Sequence, residues 1–386
     1  MIAEATTALD VAGLRQEEFP WTAEATYLNS ASIGPLPERT RLALEAFNRK
    51  RAAPYLLGDH EFFEVFDVSR ALVARLLNAS PAEIALAFNT SYGLNLAARG
   101  LPLAAGDVIV ASDREFPANV YPWLRLQDRG VRLDLVPVTA EGWPDEQRLL
   151  DRMSDPAVRV VAVSLVQFSN GYQVDLARLS ARARETDTFL VVDAIQGLGA
   201  VPVDVRATPV DILSCGAQKW LLGPWGSGFT YVRRDLIPRI DPVVTGWMAF
   251  EGTDDFTHLT TYHPTLRADA RRFEMITLPF QDFAGMNASL ELLLELGVGR
   301  IEAYLGTLHA PVRDWAARRG YPIASPVGTH GSQILCVVPP DPGDAFRRLK
   351  AAGVVASLRD GAIRLSPHVF NTIDEMVKVT EILDRP

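Results

Sequence analysis

Cysteine is close to absent from this chain of 386 residues: Cys215 and Cys336 are the only two. Two thiols so far apart in sequence build no disulfide framework. No segment reaches the ~18 consecutive apolar residues of a membrane span. The N-terminus, MIAEATTALD, lacks the basic and apolar regions of a secretory leader. The chain is therefore expected to be cytoplasmic, with no membrane contact, and its Asn-x-Ser/Thr matches at Asn78, Asn89 and Asn287 to be chance. A basic stripe is missing too. The net charge is −9 and the arginines alternate with acids, as in RQEE and RARETD, which argues against a nucleic-acid partner. Dinucleotide, P-loop, zinc-protease and serine-hydrolase signatures are all missing. The six histidines (His60, His258, His263, His309, His330, His368) show no metal-ligand spacing.

What is present is the composition of a soluble globular protein, 48% hydrophobic and 22% charged, long enough for two domains of unequal size. Residues 36–79 carry helical spacing, with Pro37 in a first turn. Seven short apolar runs then alternate with helical patterns: 83–89, 107–112, 132–138, 159–168, 189–194, 211–215 and 228–233. Strands this apolar, separated by helices, imply an α/β fold with a parallel or mixed sheet covered on both faces. After residue 280 come two long helical patterns, FAGMNASLELLLELG and GRIEAYLGTLHAPVRDWAARRG. A strand (SQILCVVP), a helix, a hairpin-like VVASLRDGAIRLS and a last helix follow. The expected division is a large domain over 27–280 and a small α+β domain over 281–386 joined by residues 1–26, with the cleft between them.

Lysine is scarce as well. Of 38 basic residues only Lys50, Lys219, Lys350 and Lys378 are lysines. Lys50, Lys350 and Lys378 lie in charged tracts that read as solvated helix faces, whereas Lys219 has small and apolar neighbours in SCGAQKWLLG. A lysine that forms a Schiff base with an aldehyde cofactor needs a rigid wall and a proton it can lose, and arginine cannot replace it. Asp193, with Gln196 three residues on, ends the apolar run before it. A carboxylate there can keep a pyridine nitrogen protonated and so make the ring an electron sink. The spacing is that of a pyridoxal-phosphate enzyme, although a structural lysine at a strand end would leave the same trace.

Other segments admit two readings each. NTSYGLN follows a strand and opens a helix, so Thr90 and Ser91 suit a phosphate or an ordinary N-cap. Phe116, just after a strand, suits a stacked cofactor ring or a core anchor. Asn170, in an Asn-Gly turn, could reach a phenolic oxygen or merely make the turn. Arg364 could hold a substrate carboxylate through a bidentate pair or lie on the surface.

Taken together, NTSYGLN, REFPANVYPW, VVDAIQGLGAVPVDV, AQKWLLGPWGSGFTYV, RRFEMITLP and RLSPHVFNT resemble the class V aminotransferase family of fold-type I pyridoxal-phosphate enzymes, from about Tyr27 to Thr372. That family includes cysteine desulfurases, selenocysteine lyases, kynureninases and isopenicillin N epimerases. The resemblance implies a mostly parallel seven-stranded sheet in the large domain. It implies that Lys219 forms the internal aldimine and that Asp193 pairs with the pyridine nitrogen. Gln196 and Asn170 would approach the phenolic oxygen, Phe116 would stack on the ring, and Thr90, Ser91 and Gln218 would hold the phosphate. Thr277 would reach the phosphate of a neighbouring subunit, which implies a homodimer with a shared active site, and Arg364 would take the substrate carboxylate.

The chain departs from desulfurases in two places. VVASLRDGAIR, before the arginine, has no nucleophilic Cys, and Gly216 stands where desulfurases have a phosphate-binding Ser. The expected activity is therefore that of an aminotransferase or epimerase-like enzyme acting on an α-amino acid through an external aldimine and a Cα carbanion. The alternative is a pyridoxal-phosphate C–S lyase acting on a cysteine derivative without a catalytic Cys. No metal is expected.

Overall fold

The computed structural model describes residues 9–384 apart from residue 243; most of the N-terminal stretch read for a leader thus lies outside the described residues. After a two-residue strand, β1 (Thr26–Tyr27), come helices Glu38–Ala52 and Asp59–Leu77. The central sheet is built from β2 (Ile84–Leu86), β3 (Val108–Ser112), β4 (Arg132–Val136), β5 (Val158–Ser164), β6 (Phe189–Asp193), β7 (Ile212–Gly216) and β8 (Gly228–Val232). The strand order is β2-β8-β7-β6-β5-β3-β4. β8 runs antiparallel to both of its neighbours and the remaining pairs are parallel. The fold is thus α/β with a mixed, mostly parallel seven-stranded sheet. β2, β3, β6, β7 and β8 are buried at every position, which is why each reads in sequence as a continuous apolar run. Among the described residues no helix is long and apolar enough to cross a membrane, and no group of three or more His, Cys, Asp or Glu could hold a metal.

The C-terminal segment carries its own antiparallel sheet. β9 (Leu335–Val337) lies beside β12 (Ala362–Leu365), which pairs in turn with β11 (Ser357–Arg359). The hairpin expected over VVASLRDGAIRLS is shorter than its sequence suggests. Its turn is Asp360-Gly361, both at positive φ (46° and 77°), which matches the strand twist. The preceding β10 (Val354–Val355) instead pairs in parallel with β1 and ties the N-terminal segment down. The long pattern GRIEAYLGTLHAPVRDWAARRG forms two helices, Val298–Leu308 and Ala310–Arg319, because Pro311 lacks the N–H that a continuous helix needs. Helix Phe280–Leu296 packs on Glu38–Ala52 and Asp59–Leu77, with hydroxyl pairing of Thr40 to Ser289 and a bond from Ser69 to Asn287.

Candidate active site

The carboxyl ends of β3, β5, β6 and β7 lie side by side, where α/β sheets bind ligands. Asp193 is the last residue of β6 and Lys219 follows β7 by three residues. The lysine loop is held in one shape from several sides. Leu222, fully buried, adopts the left-handed region at φ 56°, which costs a non-glycine residue about 1–2 kcal/mol, and its N–H is bonded to the Lys219 carbonyl. The N-terminal loop closes on the same turn. Gly34 donates to the Gln218 carbonyl at 2.8 Å, and a Cβ at Gly34 would come within 1.9 Å of the Lys219 carbonyl oxygen, so only glycine fits there. Behind the loop, His368 is stacked on Trp220 and donates from Nε2 to its carbonyl; burial holds this ring's pKa down at about 4, so it is neutral.

Within this frame the Lys219 amine makes no hydrogen bond or ion pair among the described residues, and its Nζ lies 5.7 Å from the centroid of the Phe116 ring. Burial lowers its pKa to about 8, against the opposing pull of Asp193 and with a further push from Arg364. The carboxylate of Asp193, 2% exposed, accepts one bond among the described residues, from the Ile195 N–H at 3.1 Å. Burial raises its carboxyl to about 6, opposed by that N–H and by Lys219 and reinforced by Glu115. Arg364, on β12, is also 2% exposed. It donates to the Phe168 carbonyl at 2.7 Å and to Ser32 Oγ at 2.8 Å, and it has no carboxylate partner among the described residues. Burial brings its guanidinium down to about 10.

The remaining expected residues divide into two groups. Phe116 is half open and meets Phe168 edge-on at 5.2 Å, beside the amine. Thr90 and Ser91 open helix Thr90–Gly100, whose first-turn N–H groups lack intrahelical acceptors. Asn89 caps Tyr92, and Thr90 Oγ1 accepts from the Gly216 N–H, which draws the helix start against the end of β7. Gln218 folds back over Gly216: a Cβ there would lie 2.4 Å from its Oε1, so the missing serine makes room for this amide.

The second group is engaged elsewhere. Asn170 donates to the Gly142 carbonyl and accepts from the Tyr172 N–H, and so holds its own turn. The Gln196 amide bridges the Ala31 carbonyl and Trp220 Nε1. Thr277 is exposed and makes no bond to the lysine group among the described residues. Glu115, Ser32 and Phe168 belong to the site but were not picked out from sequence. For Glu115 the available signal was its place just before Phe116, after a strand end.

Two buried charged groups and the half-buried Lys219 amine, with almost no partners of opposite sign among the described residues, fit pyridoxal phosphate and an amino acid. An amine without an anion suits an aldehyde carbon, and a carboxylate with one donor suits a protonated ring nitrogen. A guanidinium with only neutral acceptors suits a carboxylate. Both thiols are sealed. Cys336 is 0% exposed, pairs with Arg364 across β9 and β12, and donates to the Ser169 carbonyl, while burial raises its pKa to about 11. Cys215 is buried in β7 and is raised well above its usual value.

Comparison with known proteins gives the family and the fold. The family model described as Aminotransferase class-V matches residues 26–315. A probable cysteine desulfurase of Methanothermobacter thermautotrophicus is 27% identical over 96% of both chains. The isopenicillin N epimerase of Amycolatopsis lactamdurans is 28% identical, covering 93% of this chain and 94% of its own. In fold, the chain superposes on the apo cysteine desulfurase of Thermococcus onnurineus with a TM-score of 0.87 at 23% identity, covering 99% and 98% of the two chains.

Proposed function

Because the chain belongs to the class-V aminotransferase family, it is a pyridoxal-phosphate enzyme acting on an α-amino acid, and we propose that Lys219, Asp193 and Arg364 carry its chemistry. The observation that carries this reading is Arg364, a buried guanidinium supplied with two neutral acceptors and no acid among the described residues. A substrate carboxylate would complete it through a charge-assisted pair and so place the amino acid's Cα toward Lys219. When bound, pyridoxal phosphate supplies a conjugated ring that draws electrons from Cα. Lys219 would hold the cofactor's aldehyde carbon in the resting enzyme and then move the Cα proton, which suits an amine brought down to about 8 by burial. Asp193 would hold the ring-nitrogen proton. Phe116 would cover the ring face, and Thr90, Ser91 and Gln218 would hold the phosphate. Asn170 and Gln196 would serve the phenolic oxygen with the second N–H of each amide, the first being held by the Gly142 and Ala31 carbonyls.

The reaction we favour is proton movement at Cα that ends in transamination or epimerisation. C–S elimination from a cysteine derivative is a second reading; the sealed thiols favour it over persulfide transfer, because elimination needs no protein sulfur. We further propose a cytoplasmic homodimer in which Thr277 serves the second copy's phosphate. Support comes from Ile33, Leu36 and Trp225, large apolar side chains left exposed around the lysine loop. Product analysis by mass spectrometry, after incubation with a panel of amino acids and cysteine conjugates, tests the assignment; a keto acid, an epimer or a released thiol with pyruvate each names a different outcome.

Two substitutions check the parts separately. Arg364→Lys is expected to weaken amino-acid binding roughly tenfold to a hundredfold, since lysine cannot make the bidentate pair, while cofactor affinity is unchanged. Spectral titration reads both, and equal amino-acid affinity would move the carboxylate site elsewhere. Cys336→Ala and Cys215→Ser are expected to retain turnover, with a packing loss of about 1–2 kcal/mol read by thermal melting. A folded, cofactor-loaded Cys336→Ala protein without turnover, or a protein persulfide found by mass spectrometry, would restore the desulfurase reading.

A further inference from the structure

Glu115 follows β3 and is 6% exposed, yet no cation pairs with it among the described residues. It is surrounded by four donors. Oε1 accepts from the Ser164 N–H at 3.0 Å and Gln167 Nε2 at 2.6 Å, while Oε2 accepts from Ser164 Oγ at 2.5 Å and Asn119 Nδ2 at 3.2 Å. The Ser164 backbone donor cannot reverse its polarity, and the two amides have their own oxygens, Gln167 Oε1 and Asn119 Oδ1, buried without partners. Four donors converging on its two oxygens favour the ionised form, which accepts at every lone pair. Burial raises the carboxyl above its ordinary value, and the four donors offset only part of that rise.

The position of this charge gives it a consequence. Ser164, its main donor, is the residue of β5 in register with Asp193 on β6. Across that register an ionised Glu115 adds to the rise of the Asp193 carboxyl as a like charge, a smaller contribution than burial. The other groups around Asp193 are the Lys219 amine and the neutral Cys215 thiol.

We propose that Glu115 is a positioning residue for the reaction: its buried, unpaired negative charge makes Asp193 a stronger base and so tightens Asp193's hold on the proton of the cofactor's ring nitrogen. The effect is electrostatic at short range in a poorly screened interior, where like charges couple strongly. A ring nitrogen that keeps its proton is the better electron sink, so Glu115 influences Cα chemistry without touching substrate or cofactor. This inference rests on the assignment of Asp193 made above.

Glu115→Gln in the holoenzyme is the decisive variant. One oxygen keeps two donors, and the new amide can donate to Ser164 Oγ and, once the Asn119 side chain turns over, to the now unpartnered Asn119 oxygen. The readout is the pH midpoint at which the bound cofactor's visible absorption changes as its cationic site loses a proton. An anion nearby raises that midpoint, so removing one lowers it. The expected result is a fall of about one pH unit, with turnover down about tenfold. Glu115→Asp, which keeps the charge, should leave the midpoint near the parent value. If the Gln protein does not fold, Ser164→Ala takes its place: stripping one donor lets Glu115 take up a proton more readily, and the midpoint should fall in the same direction by less. A midpoint unchanged in the Gln protein, or in Ser164→Ala where that carries the test, overturns the proposal. So do equal shifts in Glu115→Gln and Glu115→Asp, since packing would then be the cause. Asp193→Asn separates the two levels. If it matches the parent, the reading of Asp193 fails; if it is impaired while Glu115→Gln is not, only the present inference fails.

Discussion

Replacing Lys219 by alanine is expected to abolish turnover, by roughly 10⁴-fold or more, and to remove the visible absorption of the bound cofactor in the same protein. The two losses would belong together because the proposed mechanism gives one amine both tasks, holding the cofactor's aldehyde carbon and moving the substrate's Cα proton. Lys50→Ala, Lys350→Ala and Lys378→Ala should leave both intact, since Lys50 is exposed and pairs with Glu61 and the other two are solvated. Borohydride reduction followed by peptide mapping checks the result: a reduced cofactor adduct found in the Lys219→Ala protein would overturn the assignment. The same amine predicts a pH dependence. Only a neutral amine attacks an aldehyde, so capture of added pyridoxal phosphate by the cofactor-free protein should accelerate as the pH rises through about 8, where burial places Lys219.

Asp193→Asn should lower turnover by about 10²-fold or more while the cofactor still binds, the scale typical of losing one electrostatic partner. The change is nearly isosteric. Asparagine can keep the bond from the Ile195 N–H but brings no charge to hold a proton on the ring nitrogen. Because Asp193 is buried and its carboxyl is raised to about 6, the substitution also removes a buried charge, so folding stability should not fall. Single-turnover measurement of Cα–H exchange isolates the step; an asparagine protein exchanging at the parent rate would show that Asp193 has no part in it.

Arg364 shows how far sequence carries. RLSPHVFNT resembles the family's carboxylate-binding stretch, yet nothing in the residues around it says that this arginine has no acid for a partner among the described residues. That depends on β12 lying beside β9 and on the backbone of residue 168, 196 positions away, arriving within 2.7 Å. Glu115 is one of 47 acids in the sequence, and only the arrival of β5 turns it into a caged carboxylate. Gln196 and Asn170 mark the limit from the other side: their motifs were legible, but the backbone groups their amides bind were not.

The sequence by itself determined the alternation of strands and helices, because strands buried on both faces must be apolar throughout. It also singled out Lys219 as the lysine proposed to bear the cofactor, because three of four lysines sit among charges and one does not. The tertiary structure alone decided which charges stand without a counterion and which acid lies behind Asp193. The physical reason is range: secondary structure and residue scarcity are written in neighbouring positions, whereas desolvation and Coulomb coupling depend on groups that the chain brings together from hundreds of residues apart.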